Sequence, residues 1–157
     1  MNAMALEPSE TGRILPADLA EVLGAVRLTH LALDAVQAAG ELPVEFQARA
    51  GRAACSYPML LTLLSYAYAR GVHGSDEIEG RLRTDADFRY LGAREFPEAE
   101  TLRHFRRREW PRLNRTLSRL LKLAATHAGM AVSLDFESEA ALRMERAAAA
   151  DSLALDC

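Results

Sequence analysis

Apolar residues recur at helical spacing along most of the chain, and the breaks between these stretches carry recognisable stop and start signals. From Ala17 to Ala39, Leu19, Val22, Leu23, Val26 and Leu33 fall on one face, which predicts a helix ended by Gly40. His30 lies on that face and reads as a half-buried core histidine rather than a ligand, because no second histidine follows at i+3 or i+4. The segment from Glu41 to Tyr57 contains Pro43, Gly51 and small residues and reads as a connector with one helical turn at most. Pro58 then opens a helix through Met59, Leu60, Leu61, Leu63, Leu64, Tyr66, Ala67 and Tyr68. That helix is apolar nearly all round, so it is expected at the centre of the molecule.

After Gly71-Val72-His73-Gly74, Ser75 is the expected N-cap of a helix with Ile78 and Leu82 facing inward and Asp76 and Glu77 against the helix dipole. Helix, tight glycine turn, helix is the grammar of a helix-turn-helix. Thr84 is expected to cap a short helix through Phe88, Tyr90 and Leu91 that Gly92 ends, and Pro97 with Glu98 opens another to about Glu109. Pro111 either starts a new helix or kinks a continuing one. Beyond it, Leu113, Leu117, Leu120, Leu121 and Ala124 form an apolar stripe, while Arg112, Arg115, Arg119 and Lys122 recur along another face until Gly129. Met130 to Phe136 reads as a short extended piece, and the alanine-rich stretch from Glu137 to Leu155 as a weakly anchored helix. No strand pair or repeat emerges. The expected fold class is all-α, a multi-helix domain over 16–129 between a flexible segment 1–15 and a partly helical tail 130–157.

Composition narrows the function classes. Half of the 157 residues are hydrophobic, but 29 are alanines, so a single modest core rests on the larger side chains. No apolar run approaches the roughly 18 to 20 residues of a membrane span, and the opening MNAMALEPSETGR lacks the basic and apolar regions of a signal peptide, so a cytoplasmic protein is expected. Cys55 and Cys157 supply neither a disulfide framework nor a thiolate zinc site. No phosphate-cradling glycine loop, nucleophile elbow or HExxH occurs, and no cofactor is expected. Asp135, Glu137 and Glu139 would line one side of an extended segment as a conceivable divalent-cation site, although capping or solvation is the commoner role of such acids.

The net charge of -3 hides an asymmetry. Between Thr101 and Lys122 eight basic residues, Arg103, Arg106, Arg107, Arg108, Arg112, Arg115, Arg119 and Lys122, face one acid, Glu109, leaving the remainder of the chain strongly acidic. Such a segment is either a solvated face laced with ion pairs or the footprint of a polyanion. The scarcity of local acids favours the polyanion.

The run from Gly51 to Arg115 contains GR, then YPMLLTLLSYAYARGVHGSDEIEGRLRTDADFRYLGA, then FPEAETLRHFRRR. It resembles the N-terminal domain of InsH-like insertion-sequence DDE transposases, whose pattern is approximately GRPxYxPxxLLKLLLYAYxxGxxSSRxIExxLxxDxxFRxL followed by PDxxTIxRFRRR. The matching positions include Tyr57, Pro58, Leu60, Leu61, Tyr66, Tyr68, Gly71, Ser75, Ile78, Asp85, Phe88, Arg89, Pro97, Thr101, Phe105, Arg106, Arg107 and Arg108. The resemblance implies a helical module that recognises the terminal inverted repeats of a transposable element, with double-stranded DNA as partner. Arg103, His104 and Arg107 are then expected to read bases, Arg108, Arg112, Arg115 and Arg119 to grip phosphates, and Arg106 to belong to the same DNA-contacting set. Ser75, at a helix N-terminus, is expected to touch a phosphate.

Departures from the pattern matter too. Glu100 and the run Gly74-Ser75-Asp76 replace residues that would favour phosphate. The residues after Gly129 are too few for the ribonuclease H-like domain of a DDE enzyme. Asp135 stands near the expected first catalytic aspartate, but Phe136 and Glu137 replace Gly-Thr, so no catalytic role is carried onto it. The expectation is DNA binding without strand cleavage by this chain, occupying inverted repeats alone, as a dimer, or with full-length transposase, in the cytoplasm at the nucleoid. The competing expectations are a repurposed helical protein-interaction or regulatory module, and the N-terminal fragment of a split DDE transposase.

Overall fold

The computed structural model describes residues 15–38, 56–92, 95–130 and 135–156. Most of the expected lead-in, the Gly40 stop, nearly all of the connector before Tyr57, both cysteines and most of the extended piece after Met130 lie outside the described residues. Among the described residues there are eight helices and no strands, so the all-α expectation holds: α1 Ala20–Leu23, α2 Ala25–Ala38, α3 Tyr57–Ala69, α4 Ser75–Thr84, α5 Ala86–Gly92, α6 Ala99–Arg108, α7 Trp110–His127 and α8 Phe136–Asp156. No described helix is long and apolar enough to cross a membrane.

Helix α3 is the axis on which the others are hung. Ser56 caps it by accepting from the Met59 N–H at 3.3 Å, Pro58 occupies the first turn where no amide partner is lost, and every residue from Met59 to Ala69 is buried. It contacts α2, α5, α6, α7 and α8. The turn leaving α3 needs Gly71, whose φ of +79° is left-handed and whose missing Cβ would stand 2.8 Å from the Ala17 carbonyl oxygen. At the same end Arg70 pairs with Asp18 at 3.0 Å and Asp87 at 2.8 Å, while the Tyr66 hydroxyl donates to Asp87, tying α3 to α1 and α5.

Several local expectations are corrected. The helix expected from Ala17 to Ala39 is split at Gly24, whose φ of +89° ends α1 and re-phases α2. Leu28, Leu31, Ala32 and Ala35 consequently form the buried face, leaving Val22 and Val26 at 50% and 72% exposure and His30 exposed rather than half-buried. Gly74, not Ser75, is the N-cap of α4, because the Ser75 side chain turns inward. Thr84 ends α4, and Asp85 in extended geometry separates it from α5. Pro111 sits in the first turn of α7 and therefore starts a separate helix, with Leu113, Leu117, Leu120, Leu121 and Ala124 all buried as the stripe requires.

The weak anchorage expected of the C-terminal helix is also overturned. Ala140, Met144 and Ala147 of α8 are fully buried, and the helix packs on α7, α4 and α3. Arg143, 1% exposed, donates to the carbonyls of Pro16, Ala17, Tyr68 and Ala69 at 2.8 to 3.3 Å and pairs with Glu139 at 3.0 Å. It thus satisfies carbonyls at the end of α3 that have no intrahelical partner. Burial lowers its pKa, opposed by Glu139. The acids read as a conceivable cation site belong to this helix start instead. Asp135 accepts from the Glu137 and Ser138 amides and the Ser138 hydroxyl, bonds that hold its carboxyl below the usual range. Among the described residues no three His, Cys, Asp or Glu side chains gather as a metal site.

Candidate nucleic-acid interface

Helix α6 places its basic residues by register. Leu102 and Phe105, three apart, enter the core, and the Tyr57 ring packs edge-on against Phe105 with centroids 5.3 Å apart. The α6 N-terminus is docked by Glu79 of α4, whose carboxylate accepts the Ala99 N–H at 3.2 Å. With that face fixed, Arg103 and Arg106 turn inward while His104, Arg107 and Arg108 remain exposed.

Arg106 of this pair lies in a polar seam beneath α8. Asp151, 2% exposed, accepts from the Arg106 guanidinium at 2.9 Å, the Ser75 hydroxyl at 2.9 Å and the Ser75 amide at 2.8 Å. Its carboxylate supplies at the N-terminus of α4 the negative partner that a phosphate was expected to be. Tyr68 adjoins the seam: burial pushes its pKa up, with Arg106 lowering it and Asp151 raising it. Arg103 is drawn to acids on the surface side, with Glu100 at 3.1 Å and Asp76 at 3.8 Å. The structure therefore engages Ser75, Arg103 and Arg106 internally.

The outward set forms the exposed face of α6 and α7. His104, Arg107 and Arg108 are i, i+3 and i+4 neighbours on α6. Arg108 lies 3.9 Å from Glu109, whose other oxygen accepts the Tyr57 hydroxyl at 2.9 Å, so the one acid of this segment is shared between a cation and a core tyrosine. On α7, the Arg112 guanidinium rests over the Tyr57 ring at 5.8 Å, and Arg115, Arg119 and Lys122 continue the stripe, all three exposed. Arg107, Arg115, Arg119 and Lys122 form no ion pair with any described residue. Arg112, Arg115 and Arg119 come together around a small pocket of about 50 Å³ whose fourth lining residue is Thr116. The charge pattern identified the arginines of this group but passed over the threonine, whose only signal is its place at i+4 from Arg112 and i-3 from Arg119.

Away from this face, the surface of α2, α4 and α5 is different in kind. Tyr90 is 62% exposed, and grooves of about 440 and 490 Å³ flank it, lined by Val26, His30 and Asp87 on one side and Arg89 and Phe96 on the other. The α4 start carries exposed Asp76 and Glu77. Acids thus flank the N-terminal turn of α6, and cations follow its C-terminal half into α7.

No curated protein and no solved structure matches the chain. A family described as Transposase domain (DUF772) matches residues 25–108, from the start of α2 to the last residue of α6. That match spans more than half of the chain and contains both the buried axis α3 and the arginine-bearing α6. The protein therefore belongs to the Transposase domain (DUF772) family.

Proposed function

We propose that this transposase-family chain binds double-stranded DNA through the outer face of α6 and α7, at the terminal inverted repeats of a transposable element. The observation that carries the reading is the sorting of the basic segment: Arg106 is sealed against Asp151, whereas Arg107, Arg115, Arg119 and Lys122 stand exposed without an acidic partner among the described residues. Exposed unpaired guanidinium groups in one stripe repel one another, and a polyanion relieves that repulsion while releasing its own counterions. Arg108, Arg112, Arg115 and Arg119 contact phosphates in this reading, and Lys122 extends the track. His104 and Arg107, on the exposed face of α6, are the base-contacting pair. Arg103, Arg106 and Ser75, held by acids of the protein itself, act by shaping α6 and not by touching DNA. No strand-cleaving role is assigned to any residue of this chain.

The test is fluorescence anisotropy with an inverted-repeat duplex and a scrambled duplex at several salt concentrations, comparing the wild type with R107A/R115A/R119A. About five phosphate contacts give a slope of log affinity against log salt near -4 to -5, and the triple variant is expected to flatten it. Equal affinity for both duplexes would remove the inverted-repeat specificity, and a salt-independent affinity would remove DNA binding altogether. A second reading, a helical protein-interaction module, is favoured by the apolar grooves around Tyr90. It requires Y90A, and not the arginine variant, to abolish association.

A further inference from the structure

Threonines inside helices usually return their hydroxyl to a carbonyl one turn back, and this protein does so repeatedly. Thr62 donates to the Pro58 carbonyl at 2.7 Å, Thr29 to Val26 at 2.6 Å, and Thr126, on α7 itself, to Lys122 at 2.9 Å. Thr116 of α7 is the exception among these: it is fully buried, and its hydroxyl has no hydrogen-bond partner. A buried hydroxyl left unpaired costs stability, so the position is more favourable for a purely apolar side chain unless something else completes it. Thr116 lines the pocket of about 50 Å³ whose other walls are Arg112, Arg115 and Arg119. That volume exceeds the roughly 30 Å³ share of one water in the liquid, so the pocket has room for a single oxyanion head. The Arg112 guanidinium is steadied by the Tyr57 ring, and Glu109 is turned to the Tyr57 hydroxyl.

We infer that Arg112, Arg115, Thr116 and Arg119 form a discrete phosphate site, in which three guanidinium groups draw in one phosphate and the Thr116 hydroxyl, covered in the free protein, turns outward to donate to one of its oxygens. Planar forked donors suit a tetrahedral oxyanion, and the neutral hydroxyl adds a directed bond that a stripe of charge alone does not have. The ligand is the phosphodiester of a DNA backbone; in this respect the inference rests on the DNA-binding reading and sharpens it, locating one phosphate at a fixed place on α7. Free inorganic phosphate shares the chemistry and serves as the probe.

The test uses the full chain and the variants T116V and T116S. NMR titration with inorganic phosphate, against sodium chloride at matched ionic strength, is expected to give saturable shifts at Thr116, Arg115 and Arg119. T116V is expected to weaken phosphate about tenfold or more, the worth of a hydrogen bond to a charged group, and T116S to restore it. T116V is also expected to raise the melting temperature of the free protein, because it removes an unpaired buried hydroxyl, and to weaken duplex binding without changing the salt slope, because no charge is lost. Unsaturable shifts shared by all exposed arginines would overturn the site, as would wild-type phosphate affinity or a lowered melting temperature in T116V. If duplex binding is strong and T116V leaves both duplex and phosphate affinity unchanged, the pocket falls and the DNA reading stands. If the wild type binds phosphate saturably through Thr116 but binds no duplex, the DNA reading falls and the site remains as one for free phosphate.

Discussion

Arg106 and Arg107 are neighbours in the chain with opposite physical roles. The first, 4% exposed, is sealed in the seam beneath α8 with Asp151 and Ser75; the second is exposed on α6 without an acidic partner among the described residues. The same side chain therefore serves the fold in one place and is available to a ligand in the other. What separates them is one step of about 100° around a helix whose orientation is set by Leu102 and Phe105 in the core. A buried guanidinium is tolerated because a carboxylate is buried with it, whereas an exposed one needs no partner and remains free to take an external anion. Substitution of the two regions should accordingly separate stability from binding.

The largest effect is expected at the centre of the seam. D151A leaves Arg106 buried without its carboxylate and removes both acceptors of Ser75, so it should cost about 3 to 5 kcal/mol in urea unfolding. A loss under about 1 kcal/mol would mean that the seam does not hold α8 in place. R143M comes next, at about 2 to 4 kcal/mol, because the carbonyls of Pro16, Ala17, Tyr68 and Ala69 lose a charged donor. Hydrogen exchange should localise that loss to the Leu19 amide, which donates to Ala69, and to the end of α3; uniform acceleration across the protein would count against a local clamp.

On the outer face the ordering reverses. R107A, R115A and R119A should each leave stability within about 0.5 kcal/mol of the wild type, while R115A and R119A each make the salt slope of duplex binding shallower by about 0.9 and R107A chiefly lowers the preference for the inverted repeat over the scrambled duplex. A slope unchanged in the triple variant, with the fold intact, would place the binding face elsewhere. The smallest effect is a pH dependence at the edge of the seam. Burial, followed by the charges of Arg143 and Arg146, lowers the pKa of His73, which stacks on Tyr68 at a centroid distance of 6.2 Å. Its neutral form is therefore favoured in the folded state. The associated stability is fully present above about pH 6.5, the unfolded value, and is lost as pH falls through the lower folded value. H73F, which retains a ring but cannot titrate, should flatten this part of a melting-temperature profile; an identical profile would assign the acid sensitivity to other groups.

The outer site was the more legible part of the sequence. The recurrence of Arg112, Arg115, Arg119 and Lys122 beside an intact leucine stripe shows that these cations leave the core, since both patterns are local to one helix. The inner site was not legible. Ser75 and Arg106 find Asp151 across 76 and 45 positions, and Asp151 follows four alanines in a helix whose buried positions, Met144 apart, are small or charged. Periodicity of large apolar residues, the usual sign of anchorage, is weak in such a helix even though it is firmly packed. The Gly24 break had the same effect on a smaller scale, since a periodic pattern drawn across it assigned Val22 and Val26 to the wrong side.

The sequence by itself determined the all-α class, the buried character of α3 and the concentration of positive charge between Thr101 and Lys122, because each follows from composition or from neighbours within a turn or two. Only the tertiary structure decided which basic residues are interior, that α8 completes the core, and that Thr116 lies unpaired among three arginines. Those outcomes depend on how the helices pack on one another, since burial and pairing are properties of the assembled fold and leave no local periodicity to read.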